Sequence, residues 1–216
     1  MTGMRLWGRA TSFNVQKVTW AIAELGLDVE RIDAGGAFGG LDTDDYGAKN
    51  PNRRVPTLED GELVLWESNV IVRYLADTRG RGTLSPADPK ARARADQWMD
   101  WMQTTLATPF TGLFWETYRK PPSQRSAERS AALMRETTAA LAIVEAELAR
   151  TGWLAGPELT MADIPVGAAL YRWFTLDLQR PDLPRIRDYY DRLASRPAYR
   201  DTVMTSYESL RGRDPA

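Results

Sequence analysis

The sequence predicts an α/β N-terminal domain over residues 1–80, followed by an all-α domain over residues 90–216. Three observations support this division. Residues 4–80 alternate between strand-like and helix-like patterns, residues 81–89 are rich in turn-forming residues, and the rest of the chain has helical periodicity without a strand signal. We therefore expect a sheet packed by helices, then a linker at residues 81–89, then a helical domain.

The N-terminal domain begins with a short predicted strand at residues 5–7, which ends at Gly8. A helix follows, because apolar residues recur at spacings of three and four: Val15, Val18, Ile22 and Leu25. Gly26 marks its end, since glycine commonly follows the last turn of a helix. Residues 28–33 alternate polar and apolar side chains and are predicted to form a second strand.

Two further strands are predicted at residues 55–58 and 63–66. The Asp60-Gly61 pair between them favours an antiparallel hairpin. A helical stripe of apolar residues follows in residues 71–75. The glycine-rich stretch before the hairpin, residues 35–52, is predicted to be irregular.

The C-terminal part contains four candidate helices. The first is expected to start at Pro89, because Asp88 is a good capping residue and proline suits the first turn. Apolar periodicity predicts these helices at residues 89–107, 124–150, 160–176 and 184–195. Thr160 and Asp163 have capping-box spacing at the start of the third.

The net charge and the length of the apolar runs argue against nucleic acid and membranes as partners. The chain has 28 basic and 29 acidic residues and a net charge of −1, so no global field attracts nucleic acid or anionic lipid. No apolar run approaches the roughly 18 to 20 residues that cross a bilayer, and the first residues do not resemble a signal peptide. We expect a cytoplasmic protein without a nucleic-acid or membrane partner.

The absence of cysteine and histidine excludes several classes of catalytic and metal site. Without cysteine there is no thiolate nucleophile of the protein's own, and without histidine there is no Ser-His-Asp triad. Metal sites built from either residue type are also excluded, and we expect no metal. Any thiol chemistry needs a thiol from a bound ligand.

Three short motifs combine structural and chemical features. Val55-Pro56 begins a strand, a position at which proline is tolerated. Glu67-Ser68 stands between a strand and a helix, where free N–H groups and a hydroxyl can bind an anion. Ser12 precedes the first helix and can donate a hydrogen bond. The structural alternatives are an ordinary strand start and two helix caps.

In this order and spacing, the motifs resemble those of cytosolic glutathione transferases of the serine type, the phi and theta classes, over nearly the whole chain. The resemblance implies a thioredoxin-like first domain with a cis-proline at Pro56. It also implies that Val55 pairs with the peptide backbone of glutathione, as an added strand would. Glu67 is then expected to bind the γ-glutamyl ammonium group, and Ser68 the γ-glutamyl carboxylate.

The resemblance also implies that Ser12 stabilises the glutathione thiolate, because Trp7 stands where the tyrosine-type classes have their tyrosine. Asn14 is the alternative, alone or together with Ser12. Arg54 is expected to bind the glycyl carboxylate, although an exposed surface arginine explains it nearly as well.

The implied activity is conjugation of glutathione, the co-substrate, to a small hydrophobic electrophile, by a homodimer. Met102, Phe110 and Trp115 are candidates for the electrophile pocket, and core packing is the alternative for each. Two other functions stay open: a glutathione-dependent peroxidase or disulfide reductase, and a non-catalytic binding or scaffold protein.

Overall fold

The computed structural model describes residues 3–214. Within them, one mixed sheet has the strand order β2-β1-β3-β4. The parallel pair β1–β2 is joined by a helical crossover, and the pairs β1–β3 and β3–β4 are antiparallel. The strands are β1 (Met4–Trp7), β2 (Val29–Ile32), β3 (Thr57–Asp60) and β4 (Leu63–Trp66).

Helices surround this sheet and make up the C-terminal part. In chain order they are α1 (Phe13–Glu24), α2 (Asp44–Lys49), α3 (Ser68–Arg79), α4 (Pro89–Trp101), α5 (Ala107–Phe114), α6 (Ala127–Thr151), α7 (Asp163–Thr175), α8 (Pro184–Ser195) and α9 (Pro197–Thr202). Short π-helical segments, Met102–Leu106 and Trp115–Arg119, continue α4 into α5 and then extend α5. Brief 3₁₀ turns occur at Gly36–Phe38, Pro122–Gln124 and Glu208–Leu210.

The predicted fold class, a thioredoxin-like α/β part followed by an all-helical part, is confirmed. Two local predictions were wrong. Residues 35–52 are not wholly irregular, because Thr43 accepts a hydrogen bond from the Tyr46 N–H and starts α2. The strand expected at residues 55–58 runs instead over Thr57–Asp60. The hairpin loop therefore has two residues, with Gly61 at a φ of 63°, which glycine adopts without strain.

Trp20 joins the α/β part to the helical part. It lies on α1, is fully buried and meets the Tyr199 ring of α9 edge-on at 4.8 Å. Gly167 of α7 leaves room for it, since a Cβ atom there would lie 2.7 Å from the Trp20 ring. The Tyr199 hydroxyl donates to the Gly167 carbonyl at 2.8 Å. Helix α1 is therefore fixed against both α7 and α9.

The predicted capping box forms at α7 with one difference. The Asp163 carboxylate accepts the Thr160 N–H at 2.8 Å, as the box requires. The Thr160 hydroxyl accepts from the Ala162 N–H, and α7 begins at Asp163, three residues later than predicted. Asp163 is fully buried and also accepts hydrogen bonds from the Leu154 N–H and the Tyr189 hydroxyl. Burial raises the pKa of Asp163 to about 6, although these hydrogen bonds favour the charged form.

We expect Asp163→Ala to destabilise the protein by about 3–5 kcal/mol, because it leaves buried donors without an acceptor at about 1–3 kcal/mol each. Denaturant unfolding measures the loss. Asp191→Ala, at an exposed position of α8, is the control and should change stability by less than about 0.5 kcal/mol. Equal losses in both variants would contradict a structural role for the Asp163 carboxylate.

Candidate functional site

The N-terminal ends of α1 and α3 meet at one edge of the sheet. Ser12 is the residue before α1, and Ser68 is the first residue of α3. The Ser68 hydroxyl donates to the Asn14 side-chain carbonyl at 3.3 Å. Two sets of free helical N–H groups therefore face the same region, which suits a ligand with more than one negative group.

Ser12 does not cap its helix through its side chain. Its backbone is extended, with φ −82° and ψ 121°, and its hydroxyl makes no capping hydrogen bond. Its backbone N–H donates to the Arg9 carbonyl, and its own carbonyl accepts from the Gln16 N–H. The half-buried Ser12 hydroxyl remains available to a ligand, whereas the Asn14 side chain is exposed and already accepts from Ser68.

Glu67 and Ser68 turn the chain from β4 into α3. Glu67 has a φ of 70°, a left-handed conformation that is uncommon for a residue other than glycine and often occurs at functional sites. Its side chain is exposed, while Ser68 is buried. A carboxylate and a buried hydroxyl are therefore presented side by side at the N-terminus of α3.

Val55 lies just before β3, and the Val55-Pro56 peptide bond is cis. Within residues 3–214, the N–H and C=O groups of Val55 have no hydrogen-bond partner, so its backbone can pair with an extended ligand. Arg54 is exposed, and its carbonyl accepts from the Tyr46 hydroxyl and the Asn50 side chain. The backbone around Arg54 is thus held while its guanidinium faces solvent.

Trp7 at the end of β1 does not offer a free donor. Its indole N–H donates to the buried Glu59 carboxylate, which also pairs with Arg5 at 2.9 Å and with Lys49 at 3.7 Å. The Trp7 indole is therefore occupied within the protein, whereas the Ser12 hydroxyl caps no helical N–H group.

Two cavities that share part of their lining open near the start of α1, and Ser12 lines the inner one. The inner cavity, of about 180 Å³, lies between the start of α1 and the α5 region, and its lining includes Phe110 and Trp115. The outer cavity, of about 510 Å³, extends from it past Trp115 and Phe38. Met102, the third predicted pocket residue, is fully buried in the hydrophobic core and does not line either cavity.

The residues that sequence reasoning missed are three arginines, which we call the arginine cluster: Arg9, Arg119 and Arg172. All three line the inner cavity. They come from the loop after β1, the π-helical segment after α5, and α7. Their separation in the chain explains why no local pattern revealed them. Phe13 also lines the cavity and was not predicted.

Lys17 is a fully buried cation beneath the site. Its ammonium group donates to the Asn69 side-chain oxygen Oδ1 at 3.4 Å and lies 4.7 Å from the Phe13 ring centroid. Asn69 in turn donates to the Met99 carbonyl at 2.8 Å, so the contact chain joins α1, α3 and α4. Burial lowers the pKa of Lys17 to about 7, and the Glu67 charge partly opposes this.

The low pKa of Lys17 predicts a pH-dependent stability. Between pH 7 and 10.5 the unfolded chain keeps a proton that the folded protein releases, so the free energy of unfolding rises with pH. Lys17→Met removes this contribution. We expect the wild type to gain stability relative to the variant across this range, by at most about 1.4 kcal/mol per pH unit.

Thermal or denaturant unfolding of both proteins between these pH values measures the difference. Lys90→Met, at an exposed position of α4, should follow the wild-type profile. A pH-independent difference between the wild type and Lys17→Met would show that Lys17 stays charged in the fold.

In residues 3–214, no group of three or more Asp, Glu, His or Cys side chains is arranged to hold a metal ion. Nor does this part of the chain contain a helix that is both long and apolar enough to cross a membrane.

Known proteins resemble this chain over most of its length. The family models for the glutathione S-transferase N-terminal and C-terminal domains match residues 2–77 and 99–197. Glutathione S-transferase GstB of Escherichia coli (strain K12) is 41% identical over 201 residues, or 92% of this chain and 97% of that protein. Glutathione S-transferase 3 of Zea mays is 31% identical over 214 residues and 94% of each chain.

A solved structure agrees with the sequence comparisons. The theta class glutathione S-transferase of Xanthomonas axonopodis pv. citri, with glutathione bound, superimposes with a TM-score of 0.92 and 46% identity. The match covers 95% of this chain and 99% of that one. The chain therefore belongs to the glutathione S-transferase family.

Proposed function

We propose that this protein is a glutathione transferase in which Ser12 holds the glutathione sulfur as a thiolate. The observation that carries the proposal is the Ser12 hydroxyl before α1, which caps no helical N–H group, at a helix N-terminus that a hydrogen bond from Ser68 to Asn14 joins to the N-terminus of α3. Family membership and the solved relative with bound glutathione support glutathione as the co-substrate.

In this proposal, glutathione lies along the edge from Val55 to Ser68. Its cysteinyl backbone pairs with the free N–H and C=O groups of Val55. The γ-glutamyl carboxylate accepts hydrogen bonds from the Ser68 hydroxyl and the first N–H groups of α3, and the ammonium group pairs with the exposed Glu67 carboxylate. Arg54, exposed at the other end, binds the glycyl carboxylate.

The expected shift of the thiol pKa follows from the contacts at Ser12. A hydrogen bond to a charged group contributes roughly 1.5–3 kcal/mol, and a helix N-terminus about 0.3–1 kcal/mol. At about 1.36 kcal/mol per pKa unit, a thiol that starts near 8.5 falls to roughly 5.5–7. A substantial fraction of the bound glutathione is then thiolate at neutral pH.

The reaction is a substitution at an electrophilic carbon. The thiol proton leaves to solvent, the sulfur lone pair forms a C–S bond, and the leaving group departs with the electron pair of its own bond. Phe110 and Trp115 supply aromatic surface for the apolar part of the electrophile. Met102 has no part in this, because it lies in the core.

Two rival functions make different predictions. A glutathione-dependent peroxidase or disulfide reductase would use the same thiolate on a peroxide or disulfide. A binding or scaffold protein would retain glutathione without turnover. Retention on glutathione-agarose, followed by assays with a chloronitrobenzene and a peroxide, separates the three; retention without any turnover would overturn the enzyme proposal.

We expect Ser12→Ala to raise the pKa of bound glutathione by about 1–2 units, because it removes a hydrogen bond of about 1.5–3 kcal/mol. At pH values below the wild-type thiol pKa, turnover should fall about 10- to 100-fold, and the loss should shrink as pH rises. The pH profile of kcat and the ultraviolet absorbance of bound thiolate measure this, while KM for glutathione should change little.

Ser195→Ala, an exposed serine at the end of α8, is the matched control and should keep the wild-type profile. Asn14→Ala tests the alternative donor. If Ser12→Ala kept full turnover and the same pH profile while Asn14→Ala lost both, Asn14 would be the thiolate-holding residue instead.

We also propose that the protein is a homodimer located in the cytoplasm. Trp66 and Val70, at the end of β4 and in the first turn of α3, are 38% and 43% exposed, and Leu63 at the start of β4 is 41% exposed. Burial of such side chains between two copies would contribute about 25 cal/mol per Å². Light scattering of the purified protein distinguishes a dimer from a monomer.

A further inference from the structure

The inner cavity beside Ser12 is unusually positive for a site expected to receive an apolar molecule. The arginine cluster lines it, and no Asp or Glu is among its lining residues in the described part of the chain. The whole protein carries a net charge of only −1, so this positive region is a local feature and not the result of a basic composition.

Within residues 3–214, the guanidinium groups of the cluster make no ion pair with a carboxylate, although Arg172 is buried and Arg9 and Arg119 are half-buried. The Nε atoms of Arg9 and Arg172 are buried and have no hydrogen-bond partner within residues 3–214. Arg172 is 5% exposed, and its Nη2 atom donates to the Thr11 carbonyl at 2.7 Å. Buried charges without a counter-ion are costly, and an anionic ligand would compensate them.

Nearby carboxylates are already engaged. Asp33, which lines the outer cavity, pairs with Arg31. Glu208 pairs with Arg211 at 2.7 Å and also accepts from the Tyr118 hydroxyl at 2.8 Å. These acids therefore do not neutralise the arginine cluster.

Each arginine is held in place by its surroundings. The Arg9 side chain packs against Gly36, where a Cβ atom would lie 3.2 Å from the Arg9 Cδ atom. The Arg119 guanidinium stacks 4.1 Å from the Trp115 ring centroid. Arg172 lies 4.6 Å from the Phe114 ring centroid. The aromatic rings hold the guanidinium planes without consuming their N–H donors.

The electrostatic consequences agree with this geometry. Burial, together with the charges of Arg119 and Arg9, lowers the pKa of Arg172 to about 10, and Tyr207 partly opposes this. Burial and the Arg9 charge likewise lower the pKa of Arg119. The three groups act on one another through the cavity, and a negative group placed between them would relieve the repulsion.

We propose that the electrophile of this protein carries a carboxylate, which the arginine cluster binds while the reactive carbon faces the thiolate at Ser12. This inference rests on the proposed transferase function and names its substrate class. The aromatic walls then hold a ring or short apolar body, and the guanidinium groups orient it through charge-assisted hydrogen bonds. The electrophile is amphiphilic rather than wholly hydrophobic.

A matched pair of probes tests the substrate class: a chlorodinitrobenzoate and the corresponding chlorodinitrobenzamide. Both lose chloride to the glutathione thiolate, and one is anionic. The catalysed rate of each probe is divided by its uncatalysed rate with glutathione, which corrects for the difference in intrinsic reactivity between the two probes. We expect at least about tenfold greater enhancement for the benzoate at low salt, decreasing as ionic strength rises.

Arg119 is the position to vary, because it is partly exposed and its guanidinium group, which stacks on Trp115, makes no hydrogen bond within residues 3–214. We expect Arg119→Gln to lose about tenfold or more in kcat/KM for the benzoate and less than about twofold for the benzamide. Arg119→Lys should keep most of the benzoate activity. Arg135→Gln, an exposed arginine of α6, should behave as the wild type.

The outcomes separate this inference from the proposed function. If neither probe is turned over, the transferase proposal itself fails. Turnover of both probes with equal enhancement would overturn the substrate class alone. An equal loss for both probes in Arg119→Gln, with a raised thiol pKa or a raised KM for glutathione, would also overturn the substrate class. The arginines would then bind glutathione or stabilise its thiolate.

Discussion

The packing of α1 against α3 on the sheet is the constraint on which the rest of the site depends. It brings two helix N-termini to one edge, and the hydrogen bond from Ser68 to Asn14 joins them. Beneath them the buried Lys17 and Asn69 link the same helices to α4. In the proposed complex, one helix end faces the glutathione sulfur and the other its γ-glutamyl carboxylate. The spacing between two groups of the ligand is thus set by how two helices pack.

The same packing connects the edge with the two helix N-termini to the inner cavity, the proposed electrophile site. Trp20, on the buried face of α1, is fixed between α7 and α9. Arg172 of α7 reaches back to the Thr11 carbonyl, next to Ser12. The loop that carries Ser12 is therefore supported from the helical part of the molecule. In the proposed complex, one continuous set of contacts positions both the glutathione sulfur and the electrophile.

Local sequence signals predicted much of this arrangement. Glu67-Ser68 was found because a strand, a hairpin turn and a helical stripe place it at a helix start, and the structure has it there. Asp163 was found by capping-box spacing. The start of β3 and the short helix α2 were missed, because propensity alone does not fix a hairpin's loop length or predict a helix of six residues.

Features of the site that depend on tertiary structure could not be predicted from the sequence. Met102 and Phe110 have the same apolar character in the sequence, yet one is in the core and the other lines a cavity. The arginine cluster combines residues from three distant parts of the chain, Arg9, Arg119 and Arg172, and each alone resembles a surface arginine. The cluster is recognised only from the cavity that the three arginines share, where residues 3–214 place no acidic side chain in the lining.

The most direct test of the account is a crystal structure of this protein with glutathione bound. The account predicts that the sulfur accepts a hydrogen bond from the Ser12 hydroxyl, that the cysteinyl backbone pairs with Val55, and that the γ-glutamyl carboxylate lies at the N-terminus of α3 on Ser68. A sulfur directed away from Ser12, or a γ-glutamyl group bound by the arginine cluster, would contradict it.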